Sequence, residues 1–188
     1  MAPPAKSSSA PYLLTVGNIK KHKNLPRLIA AYNGIRNLIR HDLVIVGKRE
    51  GFLNSETQLQ AVSADCDGRI RFTGEISDQE LKVYYGNATA LIFPSFYEGF
   101  GFPLVEAMAA GCPIACSNVA SLPEIAGNAA LFFNPFNVED MSQALLQIAT
   151  DAGLRDALTE RGRRRILRFV GNTSAELTAT TINRLLET

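Results

Sequence analysis

Six short, almost wholly apolar runs are spaced along the chain with helix-length stretches between them, and this alternation constrains the fold more than any other feature. The runs are "YLLTV" (12–16), "LVIV" (43–46), "IRFT" (70–73), "ALIF" (90–93), "PIAC" (113–116) and "ALFF" (130–133). They have strand length and are mostly apolar on both faces, the pattern of buried parallel strands. Between the first two, Leu25, Leu28, Ile29, Tyr32, Ile35 and Ile39 recur mainly at steps of three and four, which predicts an amphipathic helix. Asn24, just ahead of them, is expected to be its N-cap. The same argument predicts helices near 53–64, 78–87, 103–110 and 138–149, with two more toward the C-terminus. Strands alternating with helices of this length pair in parallel, because each return to the same end of a sheet needs a crossover. The expected fold is α/β: a doubly wound parallel sheet of about six strands flanked by helices.

Sheets of this kind bind ligands at the carboxyl ends of their strands. That singles out the loops 17–24, 47–51, 74–77, 94–102 and 117–121. The fourth lies in "FPSFYEGFGFPLVEAMAAGCP" (93–113), where Glu98 and Glu106 are separated by seven residues that include Gly99 and Gly101. Pro103 suits the first turn of a helix, where its missing N–H is not needed. The glycines allow close approach of the backbone to a ligand, and free N–H groups at a helix start receive anions or hydroxyls. Glu98 is expected on the loop and Glu106 in the first helical turn, both facing one cleft and both ionised. Two carboxylates beside free amides suit a polyhydroxylated ligand, since each oxygen accepts hydrogen bonds from sugar hydroxyls. A lone glutamate at a helix start would do no more than complement the dipole; its pairing with Gly-Phe-Gly favours the cleft. The first loop, "VGNIKKHKNL" (16–25), brings Gly17 and Asn18 and then Lys20, Lys21 and Lys23 to the front of a helix. Lysine in such a place receives phosphate. Lys23, nearest the helix, is the candidate, while Lys20 and Lys21 read as a solvated cluster.

Composition removes several classes. At 188 residues and 46% hydrophobic the chain can build one domain with a real core. A net charge of +1 exerts no general pull on nucleic acid or membrane. Cys66, Cys112 and Cys116 are odd in number without a CxxC pair, so a disulfide framework is not expected and a reducing compartment fits. With His22 and His41 far apart, no metal site is expected. No apolar run reaches the roughly 20 residues that span a bilayer. "MAPPAKSSSAP" (1–11) lacks the apolar stretch of a signal peptide and reads as a flexible tail or linker remnant, with the domain running over 12–188.

The chain resembles the C-terminal, nucleotide-sugar-binding half of a retaining glycosyltransferase of the GT-B architecture, in glycosyltransferase family 4, and is most similar to its mannosyltransferase-like members. The resemblance runs from about Tyr12 to the end. It rests on the Glu-seven-residues-Glu signature inside "PSFYEGFGFPLVEAMAAGCPI", together with "GNIKKHKNL", "RFTGEISDQELKVYYGNA" and "SNVASLPEIAGNAALFFNP". It implies a Rossmann-like sheet in which Glu98 is the catalytic-site contact to the donor sugar, Glu106 holds the ribose hydroxyls and Lys23 the diphosphate. Gly17 and Asn18 would line the phosphates. The amides of Gly99, Phe100 and Gly101 would pack round the sugar and its phosphate, and the loop of Thr73, Gly74 and Glu75 would line the base. The implied donor is a nucleotide diphosphate sugar, GDP-mannose ahead of a UDP-sugar, with no metal. Where many members carry Arg after the first glycine this chain has Asn18, and where many have Arg before the lysine it has His22. Both losses of charge imply weaker diphosphate binding or help from Lys20 or Lys21. In place of the family's Phe-Ser-Trp stands "FVGNT" (169–173), and the chain has no Trp.

The resemblance also implies an N-terminal acceptor domain that has no counterpart here, so a partner half is expected and this chain alone should bind donor with little turnover. Apolar positions at Leu177, Ile182, Leu185 and Leu186 lead to an expectation of self-association through a last helix. The expected location is the cytoplasm, the full enzyme being peripheral at the inner membrane surface. Three other classes of function compete with this reading. A dinucleotide oxidoreductase would need GxGxxG in the first turn and an acidic residue ending the second strand, and both are missing. A nucleic-acid module could use "RGRRRILR" (161–168), but its arginines read as a solvated face beside apolar Ile166, Leu167 and Phe169. A non-catalytic scaffold of the same fold is the alternative that stays open.

Overall fold

The computed structural model describes residues 10–18, 20–47 and 68–169. Six strands form one sheet: β1 (Tyr12–Val16), β2 (Asp42–Val46), β3 (Ile70–Gly74), β4 (Ala90–Phe93), β5 (Ile114–Ser117) and β6 (Ala130–Phe133). Every neighbouring pair is parallel, in the order β3-β2-β1-β4-β5-β6. The helices are α1 (Leu25–Ile35), α2 (Asp78–Asn87), α3 (Phe102–Ala110), α4 (Leu122–Ala126), α5 (Val138–Thr150) and α6 (Ala152–Ile166). The predicted helix at 53–64 and the last apolar segment at 173–188 lie outside the described residues.

Successive strand residues face opposite sides of the sheet, and both sides are buried. Leu13, Leu43, Ile45, Ile92 and Ala115 join one core cluster with α1 and α5. Their neighbours Leu14, Val44, Val46, Leu91, Phe93, Ile114 and Cys116 join a second with α3 and α4. This is the physical origin of the apolar runs: the central strands β2, β4 and β5 are buried at every position, while edge strand β3 is partly exposed and carries Arg71 and Thr73. α6 reaches both layers, Leu158 belonging to the first cluster and Ile166 packing against the second.

Four local expectations are corrected. β5 begins one residue later than "PIAC" because Pro113 has no N–H for the ladder; its carbonyl still accepts from the Leu91 N–H at 2.8 Å. α1 stops at Ile35, while Ile39 is buried in the turn beyond it. Asn24 does not cap α1 with its side chain. It sits at φ 55 and its Nδ2 instead donates to the carbonyls of Pro94, at 3.1 Å, and Pro135, at 2.8 Å. Finally, the arginines of α6 are not simply a solvated face. Arg165 donates to the carbonyls of Ile125, at 3.0 Å, and Glu124, and Arg161 to that of Asn128 at 3.3 Å, so they close the open end of α4. Leu167 points outward, whereas Phe169 packs onto the second cluster.

Candidate functional site

The strand order reverses direction between β1 and β4, which opens a crevice at their carboxyl ends. Chain leaving β1 turns at Gly17, forms a single 3-10 turn over Lys21–Lys23 and enters α1. Chain leaving β4 forms the loop 94–101 and enters α3. The two loops are stitched together by the Asn24 amide and by the Phe96 N–H donating to the His22 carbonyl at 2.8 Å. A small cavity between them is lined by Thr15, Val16, Gly17, Lys23, Leu25, Phe93, Pro94 and Ser95.

At its mouth Lys23 and Glu98 meet. Lys23 Nζ donates to Glu98 Oε1 at 2.7 Å, each side chain being only 15% exposed, and the ammonium also lies 4.8 Å from the centre of the Phe93 ring. Gly17 makes this possible. It holds φ 141, and a Cβ there would stand 2.9 Å from Lys23 Cε; any side chain would displace the lysine. Asn18, Lys20 and Lys21 are exposed on the same loop.

The Gly-Phe-Gly turn is held from behind. Ser121 Oγ donates to the carbonyls of Glu98 and Phe100, both at 3.0 Å. Gly101, at φ 100, is the N-cap of α3, and a Cβ on it would meet Leu122 at 2.9 Å. A Cβ on Gly99 would meet nothing within 4 Å, so that residue faces open space. Among the described residues the N–H groups of Gly99, Phe100 and Gly101 donate to no protein acceptor. Phe100 packs against Phe102 and Phe169, at centroid distances of 5.0 and 6.0 Å.

Glu106 departs from expectation. α3 starts at Phe102 and has no acidic residue in its first turn, so Glu106 falls in the second. Its carboxylate is positioned by Tyr85 on α2, whose hydroxyl donates to Oε2 at 2.9 Å, and not by the helix dipole. Burial, then the charge of Glu106, raises the Tyr85 phenol far above its ordinary range. Thr73 and Gly74 end β3 on the same edge of the sheet, two strands from the crevice; the Thr73 hydroxyl donates to the Gly74 carbonyl at 2.9 Å. The structure therefore brings Gly17, Lys23, Glu98 and the 99–101 turn together and gives Glu106 a separate anchor.

Sequence reasoning missed Ser121 and Tyr85 as site residues and misassigned Asn24. Ser95 was missed too: its hydroxyl is fully buried beside the cavity with no partner. Position at the end of "ALIF" was the one signal that could have found it. Cys112 and Cys116 are free and buried, burial pushing the Cys112 thiol up to about 12. Among the described residues there is no cluster of three or more His, Cys, Asp or Glu arranged for a metal ion, and no helix is long and apolar enough to cross a membrane.

Similarity to known proteins gives the family and the fold. O-antigen chain mannosyltransferase B of Escherichia coli is 37% identical over 153 residues, covering 80% of this chain and 40% of that protein. O-antigen chain mannosyltransferase RfbU of Salmonella typhimurium is 33% identical over 143 residues, covering 76% and 40%. The chain thus spans about two fifths of the length of these relatives. Among solved structures, sucrose-phosphate synthase of Thermosynechococcus elongatus superposes with a TM-score of 0.77 at 26% identity, over 95% of this chain and 46% of that one. The six-stranded parallel sheet is the Rossmann-like sheet of GT-B glycosyltransferases. The model of the family "Glycosyl transferases group 1" matches residues 1–165, and the chain belongs to that family.

Proposed function

We propose that the chain is the donor-binding half of a retaining glycosyltransferase that moves mannose from a nucleotide diphosphate sugar, GDP-mannose ahead of a UDP-sugar, to an acceptor hydroxyl. The Lys23–Glu98 pair carries this reading: a cation and a carboxylate 2.7 Å apart stand where the sheet opens, beside amides with no protein acceptor. A diphosphate entering the crevice offers Lys23 two negative groups in exchange for one. Glu98, released from the lysine, accepts hydrogen bonds from the hydroxyls of the sugar that the diphosphate carries. The amides of 99–101 and Lys23 with Gly17 and Asn18 then face the charge that grows on the departing diphosphate as the glycosidic bond breaks, which lowers the barrier most where donors are already in place. Glu106 takes the ribose hydroxyls, and Thr73, Gly74 and Glu75 border the base.

Mannose is favoured because the relatives just described are mannosyltransferases by name. The acceptor and the rest of the catalytic machinery belong to the other half of the enzyme, so this chain alone binds donor with little turnover. The site of action is the cytoplasmic side, with the complete enzyme lying against the membrane.

A calorimetric panel of GDP, UDP, GDP-mannose and UDP-glucose tests the proposal. GDP-mannose is expected to bind most tightly. Binding of UDP-glucose alone would redirect the donor, and absence of binding by all four would leave a scaffold of the same fold as the function.

A further inference from the structure

Glu106 raises a problem of its own. It is exposed on the second turn of α3, away from the helix start, and a glutamate so placed is free to sweep through several rotamers. A carboxylate that must meet two adjacent hydroxyls loses that freedom on binding, and the loss weakens the contact. The structure contains a device that removes it beforehand. The Tyr85 ring is 2% exposed and sits in the second core cluster with Leu104, Ala107 and Met108. Its hydroxyl is therefore fixed in space, and it is spent on Glu106 Oε2 at 2.9 Å. Among the described residues Oε1 accepts no hydrogen bond, so the anchored carboxylate keeps one whole oxygen and part of the other for a ligand. A buried phenol needs an acceptor, and a backbone carbonyl usually serves. Tyr12, for example, donates to the Tyr84 carbonyl at 2.8 Å. That Tyr85 is paired with a solvent-facing carboxylate is what calls for a function.

We infer that Tyr85 is a positioning residue: it presets the Glu106 carboxylate so that the site distinguishes a ribose diol from a deoxyribose. The inference rests on the donor-site reading above. Phenol burial keeps the hydroxyl protonated throughout the neutral range, so the anchor is a donor at any working pH.

The test is calorimetry on the full 188-residue chain with GDP, 2′-deoxy-GDP, UDP and 2′-deoxy-UDP. Four forms are compared: wild type, Tyr85→Phe, Glu106→Ala and the double variant. Tyr85→Phe keeps the ring and removes only the hydroxyl. Wild type is expected to prefer the ribonucleotide by about tenfold or more, the worth of a charge-assisted hydrogen bond. Tyr85→Phe should shrink that preference to about threefold or less, weakening the deoxynucleotides, which keep only the 3′-hydroxyl, less than the ribonucleotides; the remainder is what an unanchored carboxylate still recovers. In the Glu106→Ala background the second substitution should change nothing further. A preference retained in Tyr85→Phe overturns the inference. So does an equal loss for both sugars with a lowered Tm, which is what a purely structural tyrosine would give, and so does a further change in the double variant. A wild type that binds ribo- and deoxynucleotides alike removes the diol contact. A wild type that binds none of the four overturns the donor-site reading, and the inference falls with it.

Discussion

Replacing Lys23 by Met isolates what its charge contributes. The thioether keeps an unbranched stem to cover Gly17 and the Phe93 ring and removes only the ammonium. If Lys23 holds the diphosphate, the lost charge-assisted hydrogen bond is worth about 1.5–3 kcal/mol, or about ten- to hundredfold in Kd. In the free protein, however, that ammonium is already engaged by Glu98 at 2.7 Å, so binding exchanges one partner for another. With GDP the abandoned Glu98 finds no new donor, and the net loss in Lys23→Met should sit at the lower end, about tenfold. With GDP-mannose the sugar hydroxyls supply donors to Glu98, the exchange is no longer opposed, and the loss should approach about a hundredfold. Guanosine affinity should stay within about a factor of three, since no phosphate is present to lose. The variant should also be less stable, because the mostly buried Glu98 carboxylate loses its cation; at about 1–3 kcal/mol for a buried group left without its partner this lowers Tm by about 2–12 °C in a chain of this size. Titration of guanosine, GDP and GDP-mannose, with a melting curve for each protein, reads all of these. Equal losses for guanosine and GDP would refute the phosphate role, and a larger loss with GDP than with GDP-mannose would refute the exchange argument.

Asn24→Ala should cost about 2–4 kcal/mol, because it strands the Pro94 and Pro135 carbonyls in a buried place and puts a Cβ residue with no local hydrogen bonding at φ 55; urea denaturation measures it, and a loss below about 1 kcal/mol would mean that the loops do not depend on this staple. Alkaline stability follows from the buried thiols. Cys112 is raised by burial from 9.0 to about 12, and Cys116 is raised as well. An unfolded chain gives up these protons first, so stability should be intact below about pH 9 and fall as pH climbs toward about 12. Chemical denaturation between pH 8 and 11 checks this, and a flat profile would contradict it.

The strands were legible almost to the residue because burial on both faces leaves mostly apolar runs, and runs of four or five residues between helical periods are too short to be helices of their own. α4 was not, since five residues are too few to show a helical period. Asn24 before an apolar period reads as a cap, yet its amide found two carbonyls, 70 and 111 residues away, that no local rule foresees. Glu106 was assigned to a first turn by counting from Pro103, and one residue of helix on the other side of that proline moved it. The loops of the site were legible as punctuation at strand ends. Their pairings were not: Lys23 with Glu98 spans 75 residues and Tyr85 with Glu106 spans 21, and each depends on which strands lie side by side. The α6 arginines show the same limit, since a run of like charges looks solvated until the carbonyls of α4 are set in front of it.

The described residues hold much of the candidate site together by themselves. The β1 and β4 loops are fastened to each other through Asn24, His22 and the Lys23–Glu98 pair, and the Gly-Phe-Gly turn is fastened to the start of α4 through one hydroxyl, that of Ser121. All of these contacts lie within the described residues, so the arrangement of Glu98 and the 99–101 amides does not wait for a second domain to order it. Ser121→Ala tests this. It removes a shared donor to the Glu98 and Phe100 carbonyls and little packing, so it should weaken GDP-mannose by up to about tenfold, the value of one hydrogen bond. It should also speed amide exchange at 99–101, and Ser121→Thr, which restores the hydroxyl, should recover both. If affinity and exchange are unchanged in Ser121→Ala, the turn is held by Gly101 against Leu122 alone, and the preformed site has one fewer support than the geometry assigns it.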